Sequence, residues 1–256
     1  MSQETSRATG RLETYTQGPL AGAARWRFEV AGVEEVTPRM RRLWLHADGL
    51  RDLGHQPGQD LMLAVPVAEG ATVNRRYSIR HTDAEREAVA VDVVRHGDGP
   101  AARWAELARP GDVIDAIGPR GRIVVDAEAA WHLFVGDESA LPATLAMLEA
   151  VPAGAPAVAL LEVDGPEEEQ DAPAGTVVWV HRKGVEPGEA GPLLAALDQV
   201  ALPEGQGRAY VAGERRVVAA VRRRLRERGV DDSWISPKAY WSRGQANAAH
   251  GEPLRD

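Results

Sequence analysis

The sequence lacks cysteine altogether, which excludes disulfides, thiolate-bound metals and iron–sulfur clusters. It also lacks any apolar run close to the ~18 residues that a membrane-spanning helix needs. Its first residues show no apolar segment of the kind found in signal peptides. We therefore expect a cytoplasmic protein that does not insert into a membrane.

Lysine is scarce as well, and arginine carries almost all of the positive charge. The formal net charge is −8, and Lys183 and Lys238 are the only lysines. A net negative chain is a poor candidate for binding nucleic acid or an anionic membrane. Any anionic ligand must therefore be recognised by a local cationic patch that works against the overall field.

The length of the chain fits one large or two ordinary domains, and it contains enough apolar residues to form a core. Its 256 residues are 44% hydrophobic, mostly aliphatic and small. Over residues 23–126, short alternating segments are separated by turns, which predicts an antiparallel β-barrel. Over residues 127–247, strands alternate with helices, which predicts a parallel sheet in an α/β domain. Residues 1–22 and 248–256 show no periodicity, and we predict that they form flexible tails.

One strand of the predicted barrel carries a cluster of cationic and aromatic residues. It reads Arg75-Arg76-Tyr77-Ser78-Ile79-Arg80, and strand spacing sends Tyr77 and Ser78 to opposite faces. Arg75 can hold a phosphate through two hydrogen bonds. Tyr77 offers a ring face, and Ser78 offers a small donor and acceptor. The motif is too short to decide alone between a cofactor site and an ordinary half-buried strand.

A second candidate site is the turn His96-Gly97-Asp98-Gly99-Pro100-Ala101, which precedes the short helix of the barrel domain. Proline at the first helical position, after glycines, leaves backbone N–H groups at a positive helix end, as a diphosphate cradle requires. An ordinary strand-to-helix turn would have the same composition, and Asp98 counts against an anion there. Gly118-Pro119-Arg120-Gly121 is predicted to form a second tight turn.

In the α/β half, further candidates follow the ends of predicted strands, where open parallel sheets bind their ligands. They are Gly136, Asp137, Glu138 and Ser139 in one segment, and Gly213 and Glu214 in another. After the last predicted sheet strand, the segment Lys238-Ala239-Tyr240-Trp241-Ser242-Arg243-Gly244 combines cations with two aromatic rings. This segment either reaches back toward a ligand or anchors the C-terminal part of the chain by packing.

Taken in this order, the motifs resemble those of the siderophore-interacting proteins, which are flavin-dependent ferric-siderophore reductases of the ferredoxin-reductase-like superfamily. The resemblance covers about residues 25–247. Six segments carry it: Arg75–Arg80, His96–Trp104, Gly118–Gly121, Gly136–Pro142, Gly213-Glu214 and Lys238–Gly244. Each is weak alone, but six in the same order are specific.

The resemblance implies FAD as the cofactor and NADPH or NADH as the electron donor. Arg75 and the turn at Gly97–Ala101 would hold the FAD diphosphate, while Tyr77 and Ser78 would contact the isoalloxazine. The family's turn usually has one more residue than this one, so the amides that face the phosphates are not identified. The residues implied to bind the two cofactors are Arg75, Tyr77, Ser78, His96, Gly97, Gly99, Pro100, Ala101, Trp104, Gly136, Asp137, Glu138, Ser139, Gly213, Glu214, Tyr240 and Trp241.

The implied substrate is an anionic ferric siderophore, and electron counting explains the need for a flavin. A nicotinamide gives up a hydride whereas iron(III) accepts one electron, and a flavin can pass the electrons on singly. Lys238 and Arg243 are our candidates for holding the chelate, with Arg80 as a third. No acid–base residue and no protein-bound metal is required, and the seven histidines show no metal-ligand spacing.

Two other functions share part of the pattern. A reductase that serves a partner oxygenase would need the flavin motifs but not the basic aromatic C-terminal segment. A siderophore-binding flavoprotein without turnover would keep that segment and would not need the nicotinamide site. We expect a monomer or a weak dimer, and the sequence leaves both the siderophore and the choice between NADH and NADPH open.

Overall fold

A computed structural model describes residues 9–67, 70–95, 99–172 and 175–244 of the chain. These residues form two compact units. The first unit comprises the chain up to Val36 together with Met40–Arg122, and the second comprises Thr37–Arg39 and the chain from Ile123 onward. Among the described residues, no helix is long and apolar enough to cross a membrane.

The first unit is built from seven antiparallel strands and one helix, α1 (Pro100–Leu107). The strands are β1 (Gly10–Thr14), β2 (Ala24–Thr37), β3 (Met40–His46), β4 (Asp60–Pro66), β5 (Thr72–Asp83), β6 (Ala88–Val94) and β7 (Val113–Arg120). Their order is β1-β2-β3-β6-β5-β4-β7, and β7 also pairs with β2. Six strands therefore close into a barrel, with β1 added to β2, which confirms the predicted barrel.

Alternating side chains fill the barrel, as the two-residue period of a strand requires. In β2, Trp26, Phe28 and Val30 are buried, and the residues between them are more exposed. In β4, Leu61 and Leu63 repeat the pattern. These residues belong to one hydrophobic cluster, and partly buried side chains from β5 and α1 pack against it.

Two features of the first unit differ from the prediction. The predicted tail over residues 1–22 includes β1, which pairs with β2 although most of its side chains are exposed, so no apolar alternation marks it in the sequence. The predicted tight turn at Gly118–Gly121 is mostly the end of β7. Gly118 is needed there for packing, because a Cβ atom would lie 2.6 Å from Leu61 Cδ2 and 2.9 Å from the Asp60 carbonyl oxygen.

The second unit is a five-stranded parallel sheet with helices, as predicted. The strands are β8 (His132–Gly136), β9 (Ala157–Val163), β10 (Thr176–His181), β11 (Arg208–Glu214) and β12 (Ile235–Trp241), in the order β10-β9-β8-β11-β12. The helices are α2 (Leu141–Glu149), α3 (Gly191–Gln199) and α4 (Arg215–Glu227). In α4, Val217, Val221 and Leu225 form the buried stripe, as their spacing predicts.

The C-terminal basic aromatic segment lies elsewhere than predicted. We expected it to follow the last sheet strand, whereas its first half is itself the last strand, β12, which pairs in parallel with β11. Ser236 and Pro237 interrupt any apolar alternation in this strand, so the sequence pattern does not reveal it. A proline is tolerated because β12 lies at the edge of the sheet.

A buried histidine lies among the aromatic side chains of the second unit. His132 is 2% exposed, and its ring centroid lies 6.5 Å from that of Phe134 and 6.3 Å from that of Tyr210. Neither ring nitrogen has a hydrogen-bond partner among the described residues. Burial lowers the pKa of His132, against a smaller opposing effect of Asp126. The histidine is therefore a neutral core residue rather than a ligand.

Replacing His132 by phenylalanine should reduce the loss of unfolding free energy that wild type shows between neutral and mildly acidic pH. The folded pKa lies below the ordinary value of 6.5, so stability present above pH 6.5 is lost as the unfolded chain takes up the proton below it. One such group changes the free energy of unfolding by at most about 1.4 kcal/mol per pH unit. Thermal unfolding at neutral and mildly acidic pH measures the effect, with His46→Phe at a partly exposed histidine as the control. Equal acid sensitivity of His132→Phe and wild type would contradict this account.

Candidate functional site

The predicted flavin strand is β5 of the first unit. Its partner strand β4 places Leu63 opposite Arg75 and Asp60 opposite Ser78. Arg75 donates from Nη1 to the Asn74 carbonyl oxygen at 2.8 Å. It has no carboxylate partner among the described residues. The other N–H groups of its guanidinium can therefore serve an anionic ligand.

Tyr77 and Ser78 differ in their surroundings. Tyr77 is partly buried and packs against the apolar core of the barrel, while Ser78 is buried. Burial raises the pKa of Tyr77 far above its ordinary value, and the charge of Arg75 opposes this only in part. The phenol therefore stays protonated and can donate a hydrogen bond.

The other two arginines of β5 are less accessible, because Arg76 is paired with a carboxylate and Arg80 is buried. Arg76 donates from Nε and Nη2 to the buried carboxylate of Asp60, with Nη2 2.6 Å from Oδ2. Arg80 is 7% exposed, and its Nη1 lies 3.4 Å from His81 Nδ1. Sequence reasoning did not single out Asp60, although a carboxylate at the start of an apolar strand was an available signal.

The start of α1 provides the other predicted contact with the FAD diphosphate. Gly99 is the N-cap, Pro100 lies in the first turn, and no side chain caps the helix. Ala101 is buried, and Trp104 packs at the edge of the barrel core. Among the described residues, no side chain accepts a hydrogen bond from the first-turn N–H groups, which suits an anion. The predictions for His96 and Gly97 fall outside the described residues.

In the second unit, Asp137 joins the carboxyl ends of three parallel strands. It follows β8, and its Oδ1 accepts hydrogen bonds from Ser139 N at 2.9 Å and from Ser139 Oγ at 2.5 Å. Its Oδ2 accepts from Glu214 N at 2.9 Å, where β11 ends, and from Trp241 Nε1 at 2.8 Å, where β12 ends. Asp137 is buried, and these four donors fill the acceptor sites that a carboxylate offers.

Glu214 occupies the N-terminus of α4. It is fully buried, and its Oε2 accepts from Arg216 N and, at 3.0 Å, from Val217 N. Its Oε1 accepts from Arg243 N at 3.2 Å. This carboxylate takes the position in which a bound phosphate would meet the helix. Gly213 is required beside it, because a Cβ atom would lie 2.5 Å from Asp137 Oδ2.

A buried ion network lies at the same end of the sheet. Arg182, which is 3% exposed, contacts Glu138, and its Nη2 lies 3.2 Å from Asp164 Oδ1. Its Nη1 lies 3.7 Å from Glu162 Oε1. Arg39 contacts Asp164 at 3.1 Å and Glu138 at 3.8 Å. Sequence reasoning missed the network because its two arginines are far apart in the chain, and only the acidic residues after β9 hinted at it.

The basic aromatic segment supplies one enclosed cation. Lys238 is 6% exposed, and its Nζ lies 5.3 Å from the centroid of the Tyr240 ring. Trp241, through its bond to Asp137, is tied to the sheet. Of the two adjacent aromatic residues, Trp241 is therefore the structural anchor and Tyr240 pairs with the lysine.

Arg243 is the more accessible cation of this segment. Its side chain is 47% exposed, and its Nη1 lies 2.7 Å from Glu189 Oε1. Glu186 approaches its Nη2 at 3.8 Å. Exposed pairs of this kind contribute about 0–1 kcal/mol to stability, so a charged ligand can displace them.

The two parts of the chain match two models of known families. The Siderophore-interacting FAD-binding domain matches residues 62–123, and the Siderophore-interacting protein model matches residues 129–244. The ferric vibriobactin reductase ViuB of Vibrio cholerae is 36% identical over 207 residues, which cover 75% of each chain.

Solved structures agree with these matches. The crystal structure of a siderophore utilization protein from T. fusca is similar with a TM-score of 0.80 and 31% identity, covering 94% of this chain and 99% of that one. The ferredoxin reductase in carbazole 1,9a-dioxygenase has a TM-score of 0.73 at 19% identity, covering 87% and 71% of the two chains. The second likeness shows the fold alone, and it confirms the predicted ferredoxin-reductase-like fold.

Replacing Glu162 by glutamine should stabilise the protein at alkaline pH. Burial, reinforced by the charge of Asp137, raises the pKa of Glu162 from 4.5 to about 7, while Arg182 opposes the rise. Because the folded pKa is the higher one, stability present below pH 4.5 is lost as the pH rises through 7. The variant should gain about 1–3 kcal/mol over wild type at pH 8 and much less at pH 5.

Denaturant unfolding at the two pH values measures this gain, with Glu227→Gln on the surface of α4 as the control. A gain at pH 5 as large as that at pH 8, or none at either, would show that the carboxyl group is not the source of the pH dependence.

Proposed function

Because this chain belongs to the family of siderophore-interacting proteins, we propose that it reduces ferric siderophores with electrons that NADH or NADPH delivers through FAD. The FAD-binding domain model of that family matches residues 62–123, nearly all of which lie in the first unit. The homologue from Vibrio cholerae is named a ferric reductase, which supports an oxidoreductase. The nicotinamide donor and the ferric chelate are the parts that we add.

One observation carries the proposal: the barrel offers two groups that can bind an anion, on elements that both contact β4. Arg75 on β5 has no acidic partner among the described residues, and α1 begins without a side-chain cap. α1 packs against β4, the strand that pairs with β5. A guanidinium and an uncapped helix start suit the diphosphate of FAD. Tyr77 and Ser78 would meet the isoalloxazine.

When bound, FAD would supply the chemistry that divides a two-electron transfer from the nicotinamide into one-electron transfers to iron. The side chains then have two tasks, which are to admit the nucleotide and to hold an anionic chelate. Hard, anionic oxygen donors hold iron(III) more strongly than iron(II), so reduction would free the metal. No protein side chain has to transfer a proton.

We propose that Arg243 makes the first contact with the chelate, since it is the exposed member of the three candidate cations. Lys238 and Arg80 are buried in this structure, and they would contribute to the electrostatic potential or contact the chelate after a local rearrangement. We also propose that the reaction takes place in the cytoplasm, and that the protein works as a monomer or a weak dimer.

Two successive anaerobic mixing steps test the function on the full-length, FAD-loaded protein. NADH or NADPH should bleach the flavin absorbance, and an anionic ferric siderophore should then restore it while a chromogenic chelator traps iron(II). If neither nucleotide bleaches the flavin absorbance, the result would favour a siderophore-binding flavoprotein without turnover. Bleaching without reoxidation by any ferric chelate would favour a reductase that serves a protein partner.

Arg75→Ala should weaken FAD binding about 10- to 150-fold, since one charge-assisted hydrogen bond contributes about 1.5–3 kcal/mol. Fluorescence titration of the flavin-free protein with FAD measures the affinity. Arg86→Ala is the matched control, because that side chain is 80% exposed and lies near Asp83. If Arg75→Ala binds FAD as tightly as wild type does, Arg75 does not contact the cofactor and is only a residue at the rim of the barrel.

A further inference from the structure

We propose that Arg41 is a positioning residue for the flavin: it fixes the C-terminal end of α1 and thereby holds the other end of the helix in place for the FAD diphosphate. The inference rests on the proposed function, which assigns the diphosphate to the start of α1. Arg41 lies on β3, opposite Val93 of β6, and it belongs to none of the six motif segments.

The helix α1 has little apolar surface to hold it against the barrel. It spans only eight residues, and isolated helices shorter than about 12–15 residues are marginal in water. Its buried residues are Ala101 and Ala105, whose side chains are small. Trp104 is only partly buried against the core, and Leu107 is 71% exposed. A fixed position of α1 therefore depends on polar contacts at its ends.

Arg41 supplies such contacts at the C-terminal end of α1. Its Nη1 donates to the carbonyl oxygen of Ala105 at 2.7 Å and also to that of Glu106. The last carbonyl groups of a helix have no partner inside it, and a cation beside them also favours the negative end of the helix dipole. Only 14% of the Arg41 side chain is exposed, and charge-assisted hydrogen bonds of this kind are about twice as strong as neutral ones.

Arg41 is itself held by a second arginine and a shared carboxylate. Its Nε lies 3.3 Å from Glu35 Oε1, and the same carboxylate meets Arg95 Nη2 at 2.8 Å. Arg95 Nε in turn lies 3.0 Å from Glu106 Oε2. Glu35 belongs to β2, and Arg95 directly follows β6. Side chains from three parts of the barrel sheet thus meet at the last turn of α1.

The neighbouring arginine of β3 has a different task. Arg42 donates from Nε and Nη2 to the two carboxylate oxygens of Asp92, at 2.7 Å and 2.9 Å. Asp92 is buried and lies on β6, directly opposite Arg42. Successive side chains of a strand point to opposite faces, so the two arginines serve separate contacts. Loss of Arg41 should therefore leave the pairing of β3 with β6 intact.

The start of α1 carries no contact comparable with Arg41. Among the described residues, no side chain accepts a hydrogen bond from its first-turn N–H groups. An anion at this end and Arg41 at the other end would stabilise the same short helix. Two groups that stabilise one marginal element favour each other reciprocally. Arg41 would therefore raise the affinity for FAD through the helix, without a contact to the cofactor.

Arg41→Met should weaken FAD binding about 5- to 20-fold, in the lower part of the range that couplings between separate sites span. It should leave the affinity for riboflavin unchanged, because riboflavin carries the same isoalloxazine but has no phosphate to meet the start of α1. Fluorescence titration of the flavin-free, full-length protein with each of the two flavins measures both affinities.

Arg41→Lys should recover part of the lost FAD affinity, because an ammonium can still donate to the carbonyls at the end of α1. Arg51→Met is the matched control. Arg51 also donates to a backbone carbonyl, that of Ala84 at 3.5 Å, but it lies in the connection between β3 and β4 and not at α1. This control should bind both flavins as wild type does.

Hydrogen exchange of the flavin-free proteins gives a second measurement that needs no ligand. The peptide that contains α1 should exchange faster in Arg41→Met than in wild type, whereas peptides from β3 and β6 should exchange at the same rate. Thermal unfolding of the same samples checks that the variant is folded.

Equal weakening of FAD and riboflavin binding would show that Arg41 only maintains the barrel, and this result would overturn the inference. Unchanged FAD affinity, or unchanged exchange of the α1 peptide in Arg41→Met, would overturn it as well. If wild type still binds FAD and reduces ferric chelates in these cases, the proposed function stands without the positioning role of Arg41. If wild type does not bind FAD, the proposed function fails, and the inference fails with it.

Discussion

One buried carboxylate, that of Asp137, links the strands of the second unit at the carboxyl-terminal end of the parallel sheet. Asp137 receives N–H groups from Ser139, Glu214 and Trp241, and these residues belong to three different segments that meet only in the folded chain. Without this acceptor, the buried N–H of Glu214 would be left unsatisfied at a cost of about 1–3 kcal/mol, and the part-buried donors of Ser139 and Trp241 would also lose their partner. The glycine at position 213 follows from the same constraint, because a side chain there would collide with the carboxylate.

These hydrogen bonds change how the two acidic residues Asp137 and Glu214 of the predicted nucleotide motifs are interpreted. A helix start with free N–H groups attracts phosphate, but here Asp137 caps the turn after β8 and Glu214 caps α4. The second unit has filled these two positions with its own negative charge. In the described part of the first unit, α1 begins without such a cap. In a chain of net charge −8, this contrast supports the proposal that the FAD diphosphate lies at the start of α1.

Local patterns gave the architecture, and long-range pairing decided much of the site. The parallel sheet was predictable because a buried central strand such as β9 is a continuous apolar run between turns. β1 and β12 escaped prediction since exposed or proline-containing edge strands lack that pattern. The network of Arg39 and Arg182 could not be predicted, because no local spacing relates residues that meet through the fold of the sheet.

The arginines of β5 show most directly why a motif alone cannot assign roles. Arg75 and Arg76 are adjacent and chemically identical, yet the register with β4 separates them. Met62 lies opposite Arg76, and the carboxylate of Asp60, two residues away on the same strand, is within reach as a diagonal neighbour. The same positions for Arg75 hold Leu61, Leu63 and Val65, which offer no charge. A shift of the pairing by one residue would exchange the two roles. The strand register, rather than the arginine-rich motif, therefore leaves Arg75 available to an anionic ligand.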